Sequence, residues 1–302
     1  MDKELLVYID GDFVEKSKAV VSVFDHGLLY GDGVFEGIRV YGGSVFRLVE
    51  HIERLYDSAK SIHLKVPLTK HEMSEAVLET LRKNHLKDAY VRLVVSRGPG
   101  DLGVDPALCK DPTIFIIAEP MTTVLGPREP RVVKVILAST RRDPVDAASH
   151  EIKSLNYLNS ILAKIEANNA GVDDAILLDH RGFVSEATVS NIFIVKETKI
   201  ATPSSSAGIL HGITRGRIIR LCSDLGMDVD QRDVTPFELV TADEVFLVGT
   251  KSEILSVGTV AGTKIGNGGV GPLTKRLYQE FSKVVQRPEE GTSVYEAESV
   301  SV

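Results

Sequence analysis

A chain of 302 residues with 43% hydrophobic and 25% charged side chains can bury one large or two medium cores, in the composition of an ordinary globular protein. A formal net charge of -7, with the basic residues scattered, offers no electrostatic footprint for nucleic acid or an anionic membrane. The two cysteines, Cys109 and Cys222, are far apart and in no metal-ligand spacing, which points away from a disulfide framework or a zinc site and towards a reduced compartment.

The opening MDKELLVYIDG has no basic region followed by an apolar one, and no apolar run approaches the ~20 residues that span a bilayer, so a cytoplasmic protein is expected. LLVYIDGDFV reads as a hairpin about Asp10-Gly11, and AVVSVF as a strand ending at Asp25-His26-Gly27. In LLYGDGVFEGIRVYGG the glycines Gly31, Gly33 and Gly37 are spaced G-x-G-x-x-x-G, with a strand-like IRVY where a helix is required, so a dinucleotide fingerprint is rejected. VFRLVEHIERLYDSAKSIHL predicts a strand running into a helix whose buried stripe is Ile52, Leu55, Ala59 and Ile62. Arg54, about 200 degrees round that helix from Ile52, points off the stripe towards solvent or a ligand. A second helix from Lys70 to about His85 precedes AYVRLVVSRGPGDLGVDP, a strand and a glycine-rich loop, and TIFIIAE closes a first domain over residues 1–119. Residues 120–131, with Gly126-Pro127 at their middle, read as a linker.

The second domain, 132–286, opens with VVKVILAST and an R-R-D-P loop. After Lys153 the residues Leu155, Leu158, Ile161, Leu162 and Ile165 recur at three- and four-residue steps, which predicts a helix with that face buried and Lys153 at its entrance. Tyr157 would then share a face with Lys153. Beyond Gly171, AILLD reads as a buried strand, and the turn Asp179-His180-Arg181-Gly182 leads into FVSE, which places Glu186 late in a second buried strand. Thr214 is expected to cap a helix with the buried face Ile218, Leu221, Cys222 and Leu225, stopped at Gly226, and the N–H groups at such an end suit an anion. DEVFLVGTKSEILSV predicts a strand ending in a turn at Gly249-Thr250, and residues 287–302 read as a loose tail.

A lysine at a helix entrance is ordinarily solvated, and a glutamate at a strand end ordinarily meets water or an arginine. Together, an amine able to form a Schiff base and a carboxylate able to keep a pyridinium nitrogen protonated are what pyridoxal phosphate requires. The wording K-S-L-N-Y-L-N, with S-E-A-T-x-S-N-I-F placing Glu186 33 positions after Lys153, resembles the fold-type IV pyridoxal-phosphate enzymes. That family comprises branched-chain aminotransferases, D-amino acid aminotransferases and aminodeoxychorismate lyase, and the resemblance runs from about Val7 to about Val285.

The resemblance implies a two-domain α/β (α+β) fold of the D-amino acid aminotransferase kind, with a small N-terminal and a larger C-terminal domain. It implies pyridoxal 5'-phosphate as cofactor, Lys153 as the catalytic amine, Glu186 at the ring nitrogen and Tyr157 at the ring's phenolic oxygen. Arg54, Ile213, Thr214 and Thr250 are implied for the phosphate, with Arg47 as the competitor of Arg54. D-H-G-x-x-Y-G-D-G-V-F-E-G-I-R carries Tyr30 and Phe35, which line the substrate pocket in the family and are otherwise core aromatics; Tyr90 and Arg92 match positions near the substrate carboxylate. The loop from Gly98 to Asp105 resembles one that reaches the partner subunit, which implies a homodimer or an oligomer built from dimers. Leu93 stands where proline is common after that arginine, and Lys251-Ser252 replace Ala-Ala in the G-T-A-A-E turn whose backbone holds the substrate carboxylate. The expected reaction is transamination between branched-chain L-amino acids and 2-oxoglutarate, with small amino and keto acids as the partners. The rival activities are D-amino acid transamination and aminodeoxychorismate lysis, and, from another class, a binding protein whose lysine never turns over.

Overall fold

Asp10 and Gly11 both adopt positive φ, 48° and 104°, the combination that closes a two-residue hairpin, here between β1 (Leu6–Ile9) and β2 (Asp12–Glu15). The computed structural model describes residues 4–121 and 129–295. Contacts divide the chain into two units, one of residues 4–121, Ile152–Asn156 and 284–295, the other of residues 129–151 and Tyr157–Lys283. Residues 122–128 of the expected linker and 296–302 of the expected tail lie outside the described residues.

The first unit continues with α1 (His26–Tyr30), β3 (Gly33–Tyr41), β4 (Ser44–Phe46), α2 (Leu48–Ser61), α3 (Lys70–Lys83), β5 (Ala89–Ser96) and β6 (Thr113–Pro120). Its seven-stranded sheet runs from the C-terminal strand Gly291–Ser293 through β4, β3, β5, β6 and β1 to β2. The predicted stripe of α2 is buried at Ile52, Leu55 and Ala59, in one core with Ile38, Leu81 and Leu93. α3 starts where Thr69 and Glu72 form a capping box, satisfying N–H groups that the first helical turn leaves without partners. Strand alternation sends Val34, Glu36, Ile38 and Val40 of β3 to the helix side and Phe35 and Gly37 to the other.

Two expectations for this unit are corrected. AVVSVF forms no strand, and Val20, Val23 and Phe24 are exposed, at 76%, 69% and 54%; strand-forming side chains do not make a strand without a neighbouring edge to bond. The tail is not loose from 287 onward. Gly291–Ser293 pairs antiparallel with β4, the N–H of Val294 donates to the Gly43 carbonyl, and Val294 is buried.

The second unit comprises β7 (Val132–Arg141), α4 (Leu158–Asn169), β8 (Asp174–Leu178), β9 (Val184–Ala187), β10 (Asn191–Lys196), β11 (Lys199–Thr202), α5 (Ile213–Asp224), β12 (Val229–Gln231), α6 (Pro236–Thr241), β13 (Glu244–Gly249), β14 (Glu253–Val260), β15 (Thr263–Lys264) and α7 (Pro272–Val284). Its nine-stranded mixed sheet has the order β12-β11-β10-β13-β14-β7-β8-β9, with β15 beside β14. The pairs β14–β7 and β7–β8 are parallel and carry a Val/Ile/Leu core, as strands covered on both faces require.

α4 overturns the expected orientation of its stripe. Ser160, Ala163 and Ala167 face inward, the two alanines packing on Ala138, Ala175 and Leu177, while Leu158, Ile161, Leu162 and Ile165 are 45–67% exposed. Small residues let the helix lie close on the sheet, and the large aliphatics of its other face find no cover among the described residues. Among the described residues no helix is long and apolar enough to cross a membrane.

Candidate active site

Lys153 is not at a helix entrance. Residues 152–156 run beside the start of β3, with Ser154 bridged to Val34. The Phe35 N–H donates to the Lys153 carbonyl (3.0 Å) and the Leu155 N–H to the Gly33 carbonyl (2.9 Å). The Lys153 N–H donates to Ser58 Oγ at 3.1 Å. These bonds occupy backbone groups that a helix would need, so α4 begins only at Leu158, with Tyr157 as its N-cap. Lys153 and Tyr157 therefore share no helical face.

The same pairing places the Lys153 Nζ 4.4 Å from the centroid of the Phe35 ring. The guanidinium of Arg92 lies 4.3 Å from that ring and 6.0 Å from the ring of Tyr90. Gly37, opposite Arg92 in the β3–β5 ladder, makes room for this group, since a Cβ there would stand 2.1 Å from Tyr90 Oη. Burial raises the Tyr90 pKa, which keeps its hydroxyl protonated. Tyr30 sits at the end of α1, where its hydroxyl accepts the Gly103 N–H at 3.0 Å and its ring meets His26 edge-on. His26 Nε2 in turn contacts the Asp101 carbonyl at 2.9 Å, so both side chains anchor the glycine-rich loop. Tyr30, Phe35, Tyr90, Arg92 and Lys153 all belong to this unit, and the structure gathers the last four.

Arg54 leaves the buried stripe of α2 as expected, yet it does not simply face solvent or ligand. Its Nε and Nη2 donate to the two oxygens of Glu36 at 2.7 and 2.8 Å, and His51 Nδ1 contacts the same carboxylate at 2.7 Å. Glu36 is fully buried. Burial draws its carboxyl upward, but Arg54 and His51 together outweigh that and hold it far below the ordinary carboxylate range. Burial keeps His51 below its ordinary value, so the imidazole is a neutral Nδ1–H donor to an ionised partner. Arg47 is committed elsewhere, as the left-handed N-cap of α2 paired with Glu50 and Glu290.

In the second unit Glu186 sits in β9, nearly buried. Its Oε2 accepts from Asn191 Nδ2 at 2.9 Å and from the Leu210 N–H at 3.2 Å, and its Oε1 lies 3.2 Å from Arg142 Nη2. Donors thus converge on the carboxylate from three places. Thr214 does not cap α5. Gly212 is the N-cap, with no side-chain cap bond, and Thr214 is buried one position after Ile213. Gly212 presses against Asn191, whose Oδ1 would stand 2.1 Å from a Cβ there, and this close approach brings the N-terminus of α5 beside the group that orients Glu186. Thr250 and Lys251 lie in the turn joining β13 to β14. Ser252 contacts Ser190 of the S-E-A-T-V-S-N loop at 3.4 Å, and Lys251 is exposed.

The amino-transferase class IV family model matches residues 33–260. The chain belongs to the class IV amino-transferase family. It is 54% identical over 290 residues to the "Putative branched-chain-amino-acid aminotransferase" of Methanocaldococcus jannaschii, covering 96% of this chain and 99% of that one. The crystal structure of the Escherichia coli branched-chain amino acid aminotransferase is similar with a TM-score of 0.92 at 34% identity, over 97% of this chain and 100% of that one. A T.th. branched-chain amino acid aminotransferase, complexed with N-(5'-phosphopyridoxyl)-L-glutamate, has a TM-score of 0.91 at 36% identity, over 97% and 99%.

As a class IV amino-transferase the chain carries in each unit groups that suit pyridoxal phosphate: a primary amine and a guanidinium in the first, and in the second a buried acceptor carboxylate and an uncapped helix start of the kind that binds anions. Glu36, His51, Arg142 and Asn191 escaped the sequence reading as site residues. Three of them stood inside quoted wording, Glu36 in F-E-G-I-R, Arg142 in R-R-D-P and Asn191 in S-E-A-T-x-S-N, with nothing local to say what each would touch.

Proposed function

We propose that the protein is a pyridoxal-phosphate-dependent aminotransferase that moves the amino group between branched-chain L-amino acids and 2-oxoglutarate. The observation that carries this reading is Lys153, pinned by its backbone to β3 and Ser58 with its amine over Phe35, in a chain of this family. Bound pyridoxal phosphate supplies a carbonyl that takes up the amino group and a ring that absorbs the electron pair left when a Cα proton departs.

The chain's own residues do the rest. The Lys153 amine would hold the cofactor covalently and, as the free amine, would carry the proton that leaves and returns at substrate Cα. Glu186 would accept the N–H of the pyridinium nitrogen, and Tyr157 would donate to the phenolic oxygen. Arg54, pre-set by Glu36, offers a planar fork to the phosphate, joined by the Ile213 and Thr214 backbone and by Thr250. The N–H groups of the turn at Thr250 and Lys251 hold the substrate carboxylate, with Arg92 and Tyr90 placed for the same task, while Tyr30 and Phe35 shape an apolar side-chain pocket.

The working unit is a homodimer or an assembly of dimers, in the cytoplasm. Exposed Phe24, Leu28, Leu102 and Val104 on one unit and the outward stripe of α4 on the other support this, because monomers rarely leave so much apolar surface to water. Sedimentation at micromolar concentration that gives the mass of one chain overturns this part alone.

The activity is tested on the purified protein. L-leucine should bleach or shift the near-ultraviolet to visible absorbance of bound cofactor, and steady-state rates should favour L-leucine over D-alanine, D-glutamate and aminodeoxychorismate. An unresponsive spectrum, or a preference for one of those three, overturns the reading.

A further inference from the structure

The R-R-D-P stretch has no part in the roles assigned so far, yet its second arginine is only 2% exposed. The backbone N–H of Arg142 donates to the Leu178 carbonyl at the end of β8, which turns the side chain inward. At one edge of the guanidinium, Nη1 donates to Asn159 Oδ1 at 3.0 Å and to Ser160 Oγ at 3.2 Å, both in the first turn of α4. At the other edge, Nη2 donates to the Ala187 carbonyl at 3.4 Å and pairs with Glu186 Oε1 at 3.2 Å. A planar fork can span two anchors in fixed geometry, which the point charge of a lysine cannot.

We propose that Arg142 is a positioning residue for Glu186, holding its carboxylate in one direction by bracing it against the first turn of α4. The inference rests on the reading that Glu186 faces the cofactor's ring nitrogen. Stability alone is a poor reason to retain such a pair, because removing two charges from water offsets most of what their attraction returns. A carboxylate that must meet a ring nitrogen in a narrow range of angles is a better one, since supporting contacts of this kind set the geometry of the groups they touch. The same guanidinium steadies the turn that Tyr157 opens, so one side chain orients two groups proposed to touch the cofactor.

The test uses the holoenzyme and the variants Arg142→Gln, Glu186→Gln and the double variant. Two readouts are taken: the pH midpoint of the bound cofactor's absorbance without substrate, and kcat and KM for L-leucine. Arg142→Gln should move the midpoint in the same direction as Glu186→Gln and lower kcat about tenfold with KM changed little, the loss of roughly one charge-assisted bond. The double variant should be no worse than Glu186→Gln, because an effect that runs through Glu186 vanishes with it. Arg142→Lys should recover part of kcat. A parent midpoint in folded Arg142→Gln while Glu186→Gln shifts overturns the proposal and leaves the reading of Glu186 standing, as does an additive loss in the double variant. An unmoved midpoint in Glu186→Gln overturns that reading and the proposal with it. Should Arg142→Gln fail to fold, Asn159→Ala loosens the far anchor without stranding a buried charge; the same shift, smaller, supports the proposal, and a parent midpoint overturns it.

Discussion

Glu36 grips Arg54 through both Nε and Nη2, at 2.7 and 2.8 Å, so the arginine that leaves the buried stripe of α2 is already fixed before any ligand arrives. A guanidinium so clamped loses little freedom on meeting a phosphate.

Glu36→Gln should therefore weaken cofactor retention about tenfold, since the amide replaces one charge-assisted fork by weaker bonds. Arg54→Ala should weaken it further, and Arg47→Ala, with its arginine committed to Glu50 and Glu290, hardly at all. Dialysis followed by titrating pyridoxal phosphate back measures this. Equal retention in the Arg54 and Arg47 variants places the phosphate elsewhere.

Lys153→Ala should abolish the visible absorbance of bound cofactor and lower transamination by several orders of magnitude, because anchor and proton carrier vanish together. Near-native turnover in this variant removes the assignment.

Glu186→Gln should keep pyridoxal phosphate but slow proton abstraction by about 10- to 200-fold, the equivalent of the roughly 1.5 to 3 kcal/mol carried by one charge-assisted bond. Single-turnover rates with L-leucine report this step, and an unchanged rate counts against the role.

Lys251 is exposed, the pose favoured by a four-carbon stem that can carry its ammonium to water. Lys251→Ala should leave the ratio of leucine to glutamate efficiencies within a few-fold of the parent. A drop of about tenfold for glutamate alone, about 1.4 kcal/mol, shows instead that the lysine reads an acidic side chain.

Acid should loosen α4 from β7. Partial burial works against ionisation of Glu166, but bonds from the N–H and hydroxyl groups of Thr140 and Ser139 prevail and bring its carboxyl down to about 2. A carboxylate depressed on folding stabilises above its unfolded pKa, about 4.3, and that contribution is lost as pH falls towards 2. The difference in melting temperature between the parent and Glu166→Gln should therefore be fully present at pH 7 and shrink steadily below about pH 4. A difference constant with pH shows that the contact adds nothing through charge.

Much of this protein was legible along the chain. Periodicity and turn residues placed α2, α3 and most strands, because helix and strand repeats are local properties, and the wording around Lys153 and Glu186 marked the two residues proposed to carry the chemistry. Which face of α4 is buried was beyond reach: a three-to-four repeat reveals an amphipathic helix, whereas the choice between Leu158, Ile161, Leu162, Ile165 and Ser160, Ala163, Ala167 depended on the sheet it meets. Lys153 left the helix for the same kind of reason, since its backbone bonds go to Phe35 and Ser58, far away in sequence. The partners that orient the site, Glu36 for Arg54 and Arg142 for Glu186, are likewise decided only when distant segments fold together. A side chain's residue type states what it can bond, and only the tertiary structure states what stands within 3 Å of it.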